Sequence, residues 1–472
     1  MTEMTRDLVV FCVALLLPIL TANAQTAELI SVRSTDQIQG LANALGMPDG
    51  IIPLDFDVAK YRVTYPMEYI GNTHMVTGAI YIPVDGEGNA LPCALPTHTY
   101  MHGTIFLRSD APSYEGFEGE LGFLMATNGM LTLMPDYLGL GGSDDVLHPY
   151  VHAASEAESG MALLAAVETL GDDMGVVLNG QHFVSGYSQG GHAAMAMAKR
   201  MQEDPYAGFP LAAAAPMSGP YDMSGTQLPM GMAQEQYSNP AYLAYTLLAW
   251  QQTYGNLFVE LSEIFQEPFA SGLPSMFDGE TAGEMINDFL DGPTSSIVQE
   301  GALEALMEPG SAFFEAAQDN DLYHWVPQSP VQMYYCTQDE QVFHENALVA
   351  ESWMNDNGAT NVSSVNGGPL DHGGCALLAI LGGTVWLNGQ ADLCTTTSVP
   401  EADHSMDLSW RPTQDGIWVY GLEPGQRWTL IAVDGRVLGT GISKSDRLRV
   451  PAPTGLSMLV AEDGRFVRMV RH

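Results

Sequence analysis

The chain has 472 residues, 46% of them hydrophobic and 15% charged, with 56 acidic side chains against 16 Lys plus Arg and a formal net charge of −40. That hydrophobic content can bury a large core and excludes a disordered chain, and the charge excludes nucleic acid as a partner through repulsion from its phosphates. The charge is also uneven: residues 201–410 hold no Lys or Arg against 28 Asp and Glu, whereas residues 411–472 hold nine basic and six acidic side chains, so two units under different constraints are expected.

At the N-terminus Arg6 precedes an apolar run over residues 8–20, and Thr21-Ala22-Asn23-Ala24-Gln25 has the small-x-small pattern of a processing site. Residues 1–24 therefore read as an export signal cleaved after Ala24, and the run is shorter than the roughly 20 residues of a membrane span. Cys12 leaves with the signal; Cys93, Cys336, Cys375 and Cys394 remain, which an oxidising compartment can pair in three ways. Cys375 with Cys394 closes the shortest loop and is the preferred pair. A zinc site is the competing reading, but no CxxC occurs, and the HxxxH spacings of His98 with His102 and His148 with His152 lack the Glu of a helical HExxH.

Tyr61-Arg62-Val63-Thr64-Tyr65 and residues 76–83 read as an antiparallel pair around Gly71-Asn72. Residues 94–101 form a strand candidate ending in His102-Gly103, and residues 130–134 another ending in Pro135-Asp136-Tyr137. A helix is expected over 153–170, a strand over 182–186, an Ala/Met-rich helix to Met201, and strands over 211–216 and 331–335. This alternation predicts a mostly parallel sheet covered on both faces. Between residues 221 and 330 the strand pattern gives way to helical spacing over 241–265 and 283–314, a helical cap or a subdomain that only adds core. Its Met, Tyr, Trp and Phe side chains, among them Met232, Tyr242, Tyr245, Trp250 and Phe265, favour a neutral, apolar substrate, and with no Lys or Arg it cannot clamp a carboxylate or phosphate.

The sharpest motif is Gly186-Tyr187-Ser188-Gln189-Gly190, entered by an apolar strand and left by a helix carrying Gly191, Ala193 and Ala194. That context is a nucleophile elbow, a tight turn that exposes the serine Oγ. Such a serine needs a base and an acid in the chain order Ser, acid, His. The strand at 331–335 runs into Cys336-Thr337-Gln338-Asp339-Glu340, and a helix (346–357) and a short strand (361–365) precede Asp371-His372-Gly373-Gly374. Ser188, His372 and Asp339 are the expected catalytic residues, with Glu340 the rival acid. His324 precedes the acid, His344 sits too close to it, and His404 lies at the edge of the tail. The backbone N–H of Gln189 and that of Thr104 are the expected oxyanion donors, His102 braces the turn before Thr104, and Tyr137 lies near the pocket. No cofactor or metal is implied.

Together, His102-Gly103, the 135–141 loop, the Gly186–Gly191 elbow motif, Asp339 and His372 resemble the α/β-hydrolases, and within them the secreted lipases and esterases that carry a helical lid. The resemblance covers about residues 60–395. It implies an α/β fold with core segments 25–220 and 331–399, a cap over 221–330, and hydrolysis of a small neutral or apolar ester, lipid included. A serine peptidase of the same superfamily is the alternative, and a non-catalytic surface binding protein a third reading.

Residues 400–472 read as a small β domain with strands over 416–420, 428–433, 448–450 and 456–461, and hairpin turns at Asp434-Gly435 and Asp463-Gly464. An accessory domain for carbohydrate or surfaces is one reading. Residues 433–437, 453–455 and 463–471 are similar to C-terminal sorting domains of type IX secretion, although the usual Pro-Asn-Pro lead-in is missing. That similarity implies secretion machinery as a partner and a secreted or cell-surface destination.

Overall fold

The computed structural model describes residues 25–47, 50–171, 174–204, 209–394, 409–413, 416–432, 437–445, 447–450, 455–461 and 466–471. The expected signal and its cleavage site, His404, and both Asp-Gly turns of the tail lie outside the described residues.

Nine strands form one sheet: β1 (Thr26–Arg33), β2 (Asp57–Tyr69), β3 (Asn72–Val84), β4 (Leu95–Met101), β5 (Leu131–Pro135), β6 (Leu178–Tyr187), β7 (Leu211–Met217), β8 (Val331–Tyr335) and β9 (Val362–Asn366), in the order β1-β2-β3-β5-β4-β6-β7-β8-β9. β1, β2, β3 and β5 pair antiparallel. From β5 through β4 to β9 all pairing is parallel. The β2–β3 hairpin turns through Ile70 and Gly71, both at positive φ, one residue earlier than the sequence suggested.

Parallel strands need crossovers, and helices supply them on both faces. α1 (Thr35–Ala44), α2 (Phe117–Ala126) and α13 (His372–Asn388) cover one face, where Ile38, Phe123, Phe183, Tyr187 and Ala379 share a core. α3 (Ala153–Leu170), α4 (Gln189–Glu203) and α12 (Glu345–Asp356) cover the other with Leu164, Val184, Met195, Met333 and Ala350. β4 and β5 are buried at every position, which is why their sequences read as continuous apolar runs.

Between β7 and β8 the described chain is helical: a π-helical turn at Met223–Gln227, then α5 (Leu228–Met232), α6 (Pro240–Tyr254), α7 (Phe269–Gly272), α8 (Gly283–Phe289), α9 (Thr294–Ile297), α10 (Ala302–Leu306) and α11 (Ala312–Asp319). Only α6 approaches the expected length. Gly255, at φ 76°, ends it, and Pro268, Pro293 and Gly301 stand at the starts of short successors. The insertion has its own core around the fully buried Trp250, with Leu273, Ile286 and Phe313.

Two disulfides correct the expected pairing: Cys93 bonds Cys394 and Cys336 bonds Cys375. Cys375 lies in the first turn of α13 and Cys394 beyond its end, and a 17-residue helix spans about 25 Å. The shortest loop in sequence is thus a rigid rod that holds its two cysteines apart.

The tail forms two small antiparallel sheets. β10 (Ser409–Thr413), β11 (Gly416–Tyr420) and β14 (Arg447–Val450) make one; β13 (Val437–Ile442), β12 (Arg427–Ala432), β15 (Gly455–Ala461) and β16 (Phe466–Arg471) make the other. Val419, Leu430, Val450 and Leu459 are buried among them. β10, β13 and β16 add to the four strands expected.

Candidate active site

Ser188 stands between β6 and α4 with φ 61° and ψ −123°, a conformation costly for any side chain and held here by its surroundings. A Cβ on Gly186 would strike the Gly190 carbonyl, and one on Gly190 would strike the carbonyls of Met101 and His102. The flanking glycines therefore let the turn press against the end of β4. Ser188 N–H donates to the Met217 carbonyl at 3.0 Å, pinning the turn to β7 as well.

Two loops at the carboxyl end of the sheet reach this serine. Asp339, after β8, accepts the backbone N–H groups of Gln341 (3.1 Å) and Val342 (2.8 Å) on Oδ1, leaving Oδ2 to meet His372 Nδ1 at 2.8 Å. His372 opens α13, and its Nε2 lies 2.9 Å from Ser188 Oγ. All three are buried. The Tyr187 hydroxyl donates to the His372 carbonyl at 2.6 Å, and Asp371 caps α13 by accepting Gly374 N–H at 2.7 Å. The rival acid, Glu340, accepts the backbone N–H of His372 on Oε2 at 3.1 Å. Burial raises that carboxyl, but this bond, together with those from its own backbone N–H and the Gln341 side chain, holds Glu340 below the usual range. The chain thus brings Ser188, His372 and Asp339 into one line and gives Glu340 the backbone. His344 and His324 lie elsewhere, against Tyr335 and against Tyr323 and Trp353.

Gln189 is the first residue of α4, where an N–H has no acceptor within the helix. Thr104 follows β4, whose Met101 pairs with Gly186, so this loop runs beside the elbow. Its Oγ1 meets the Tyr150 hydroxyl at 3.0 Å. His102 is turned away from Ser188: Nδ1 donates to the Gly103 carbonyl at 2.7 Å, Nε2 lies 3.3 Å from the Asp136 carbonyl, and burial lowers its pKa to about 4. The hydroxyl of the buried Tyr137 donates to the His102 carbonyl at 3.1 Å.

A cavity opens at Ser188 and Gln189 and runs into the helical insertion. Met232, Tyr242 and Phe265, three of the apolar side chains singled out in the sequence, line it with Leu243, Leu290 and Ile297, and none of its described lining residues is charged. Trp250 belongs instead to the insertion's core. Of the paired histidines, His98 Nε2 meets Ser185 Oγ at 2.8 Å, and the described residues contain no group of His, Cys, Asp or Glu suited to a metal.

Sequence reading missed several buried polar groups. Glu118 of α2 accepts the Gly103 N–H, and burial pushes its carboxyl up to about 7. Asp136 accepts the Thr77 and Ser113 hydroxyls, each at 2.5 Å. Glu156 meets His192 Nδ1 at 2.6 Å. Thirty-six positions separate that last pair, so only the packing of α3 on α4 reveals it.

No protein-family model and no curated protein matches the chain. Among solved structures it is similar to the rice cell wall degrading esterase LipA from Xanthomonas oryzae, at 26% identity and a TM-score of 0.68 over 77% of this chain and 97% of that one. A Legionella pneumophila protein inferred to be a hydrolase superposes with a TM-score of 0.72 at 22% identity, over 79% and 99%. Candida antarctica lipase A in its closed state follows at 14% identity and 0.54, over 80% and 87%. With the mostly parallel sheet and its helices on both faces, these neighbours make this an α/β-hydrolase fold with a small C-terminal β unit.

Proposed function

We propose that the chain is a serine hydrolase of carboxylic esters. The observation that carries this is the line Asp339 Oδ2–His372 Nδ1–His372 Nε2–Ser188 Oγ, at 2.8 and 2.9 Å, at the mouth of an uncharged cavity. Ser188 Oγ attacks the ester carbonyl as its proton passes to His372 Nε2, while Asp339 holds the Nδ1–H and stabilises the imidazolium. The N–H groups of Gln189 and Thr104 take the oxyanion. Collapse expels the alcohol, which leaves with the proton from His372, and the acyl group stays on Ser188. Water then attacks with His372 as base and releases the carboxylic acid.

Ester chemistry also draws support from LipA, an esterase of similar fold. The apolar lining favours a neutral acyl or alcohol part, as in a lipid or small ester, and none of the cavity's described lining residues is a carboxylate that could hold a peptide's amino terminus. The test is a panel of p-nitrophenyl esters run beside aminoacyl-anilides. Turnover of the esters is expected; cleavage of the anilides alone would make the enzyme a peptidase.

Export is part of the same proposal. It is supported by the signal pattern of residues 1–24, by two disulfides of the kind an oxidising compartment sustains, and by the likeness of the tail to type IX sorting domains. On this reading residues 400–472 are an address rather than part of catalysis.

A further inference from the structure

Behind the elbow lies a second line of polar groups that the triad does not use. Glu156, in the first turn of α3, and His192, in the first turn of α4, are both fully buried at the side chain and meet at 2.6 Å. His192 Nε2 faces the Asn320 carbonyl oxygen at 3.1 Å. Both ring nitrogens therefore face oxygen acceptors, which hold the ring between α3 and the residue that follows α11. The other Glu156 oxygen accepts Gln189 Nε2 at 2.9 Å, and the same amide nitrogen meets His148 Nε2 at 2.7 Å. His148 donates from Nδ1 to the Leu138 carbonyl at 2.9 Å, so its Nε2 is an acceptor. These two demands fix the orientation of the Gln189 amide.

A buried polar pair is a poor source of stability, because desolvation consumes most of what its hydrogen bonds return. This one instead grips the residue next to the nucleophile. Resting on the serine-hydrolase reading above, we infer that Glu156 and His192 are positioning residues for the oxyanion donor: they clamp the Gln189 side chain and so aim its backbone N–H. The clamp also ends on the helical insertion. Asn320 donates to the Tyr254 hydroxyl of α6 at 2.9 Å and accepts the Ala153 N–H that opens α3 at 2.7 Å, while Tyr245 of α6 packs edge-on against His148. The seating of α6 and the aim of the donor are mechanically joined.

Three variants test this. Glu156→Gln leaves His192 facing an amide and is expected to lower kcat by about 10–100-fold, within the range lost when an oxyanion donor is removed, with KM within about threefold. Glu156→Leu/His192→Leu removes both polar groups together; its melting temperature is expected to recover toward wild type while kcat stays about tenfold or more down. A purely structural pair would show kcat recovering along with stability, which would overturn the inference. Gln189→Met keeps the backbone N–H but loses both amide bonds, so it tests the clamp even if the double variant does not fold. For each variant, affinity for a trifluoromethyl ketone, whose tetrahedral adduct needs the oxyanion donors, is expected to fall in step with kcat/KM. Wild-type kcat in Gln189→Met and Glu156→Gln would sink the inference alone, whereas turnover surviving in Ser188→Ala would sink the serine reading beneath it.

Discussion

Asp339 and Glu340 are adjacent carboxylates with different duties. Asp339 reaches the His372 ring and Glu340 its backbone N–H. Asp339→Asn is expected to lower kcat by about 10³–10⁴, because an amide favours the wrong tautomer of the base. Glu340→Gln still offers an acceptor and is expected to lose no more than about fivefold. Steady-state kinetics on p-nitrophenyl butyrate separate the two, and a reversed ranking would move the acid by one residue. Glu118 carries a pH dependence of its own. Its carboxyl stands at about 7 in the folded chain against an ordinary 4.5, so between those values the folded state keeps a proton that the unfolded chain has released. Its contribution to stability therefore falls as pH rises through that window. Glu118→Gln, which still accepts from Gly103, is expected to melt with wild type at pH 4 and about 2–4 °C above it at pH 8. Coincident melting curves at pH 8 would contradict the buried acid.

At the scale of elements, the acid and base sit on segments that a covalent bond joins. Cys336 directly follows β8, three residues before Asp339, and Cys375 follows His372 by three in α13. Cys336→Ala/Cys375→Ala opens a loop of 39 residues' separation, which costs about 3–4 kcal/mol by chain entropy, and kcat on the folded fraction is expected to drop about tenfold as the two loops loosen. Calorimetry beside active-site titration reads both; an unchanged kcat per folded site would show the bond to be purely structural. Much of this layer was legible in the chain. The elbow announces itself within five residues because its glycines are forced by contact, and α3 and β8 were read to their end residues because their patterns are long or cleanly bounded. β1 was missed because an exposed edge strand has no buried face to impose alternation. α13 was missed as a helix because its apolar residues surround it without a polar stripe and four glycines weaken its propensity. The disulfides and the Glu156–His192 pair depend on which helices pack together, and no local pattern carries that.

For the whole molecule, the division of labour follows the charge. The described body closes on itself through Cys93–Cys394, upstream of the basic tail, and the tail's strands form sheets of their own. Deleting residues 411–472 is expected to leave purified activity within about twofold of the full chain while trapping the enzyme in the periplasm of a Gram-negative host. Loss of activity with secretion unchanged would make the tail a working part of the enzyme. The electrostatic half of this division was readable from composition; the shape of the cavity was not, because it arises where short helices of the insertion meet the elbow. The acyl-enzyme itself is open to direct observation. Rapid-quench mass spectrometry of the enzyme mixed with p-nitrophenyl butyrate is expected to find one butyryl group per chain, on the peptide holding Ser188, absent from Ser188→Ala. Ester turnover with no adduct, or with the adduct on another residue, would contradict the mechanism.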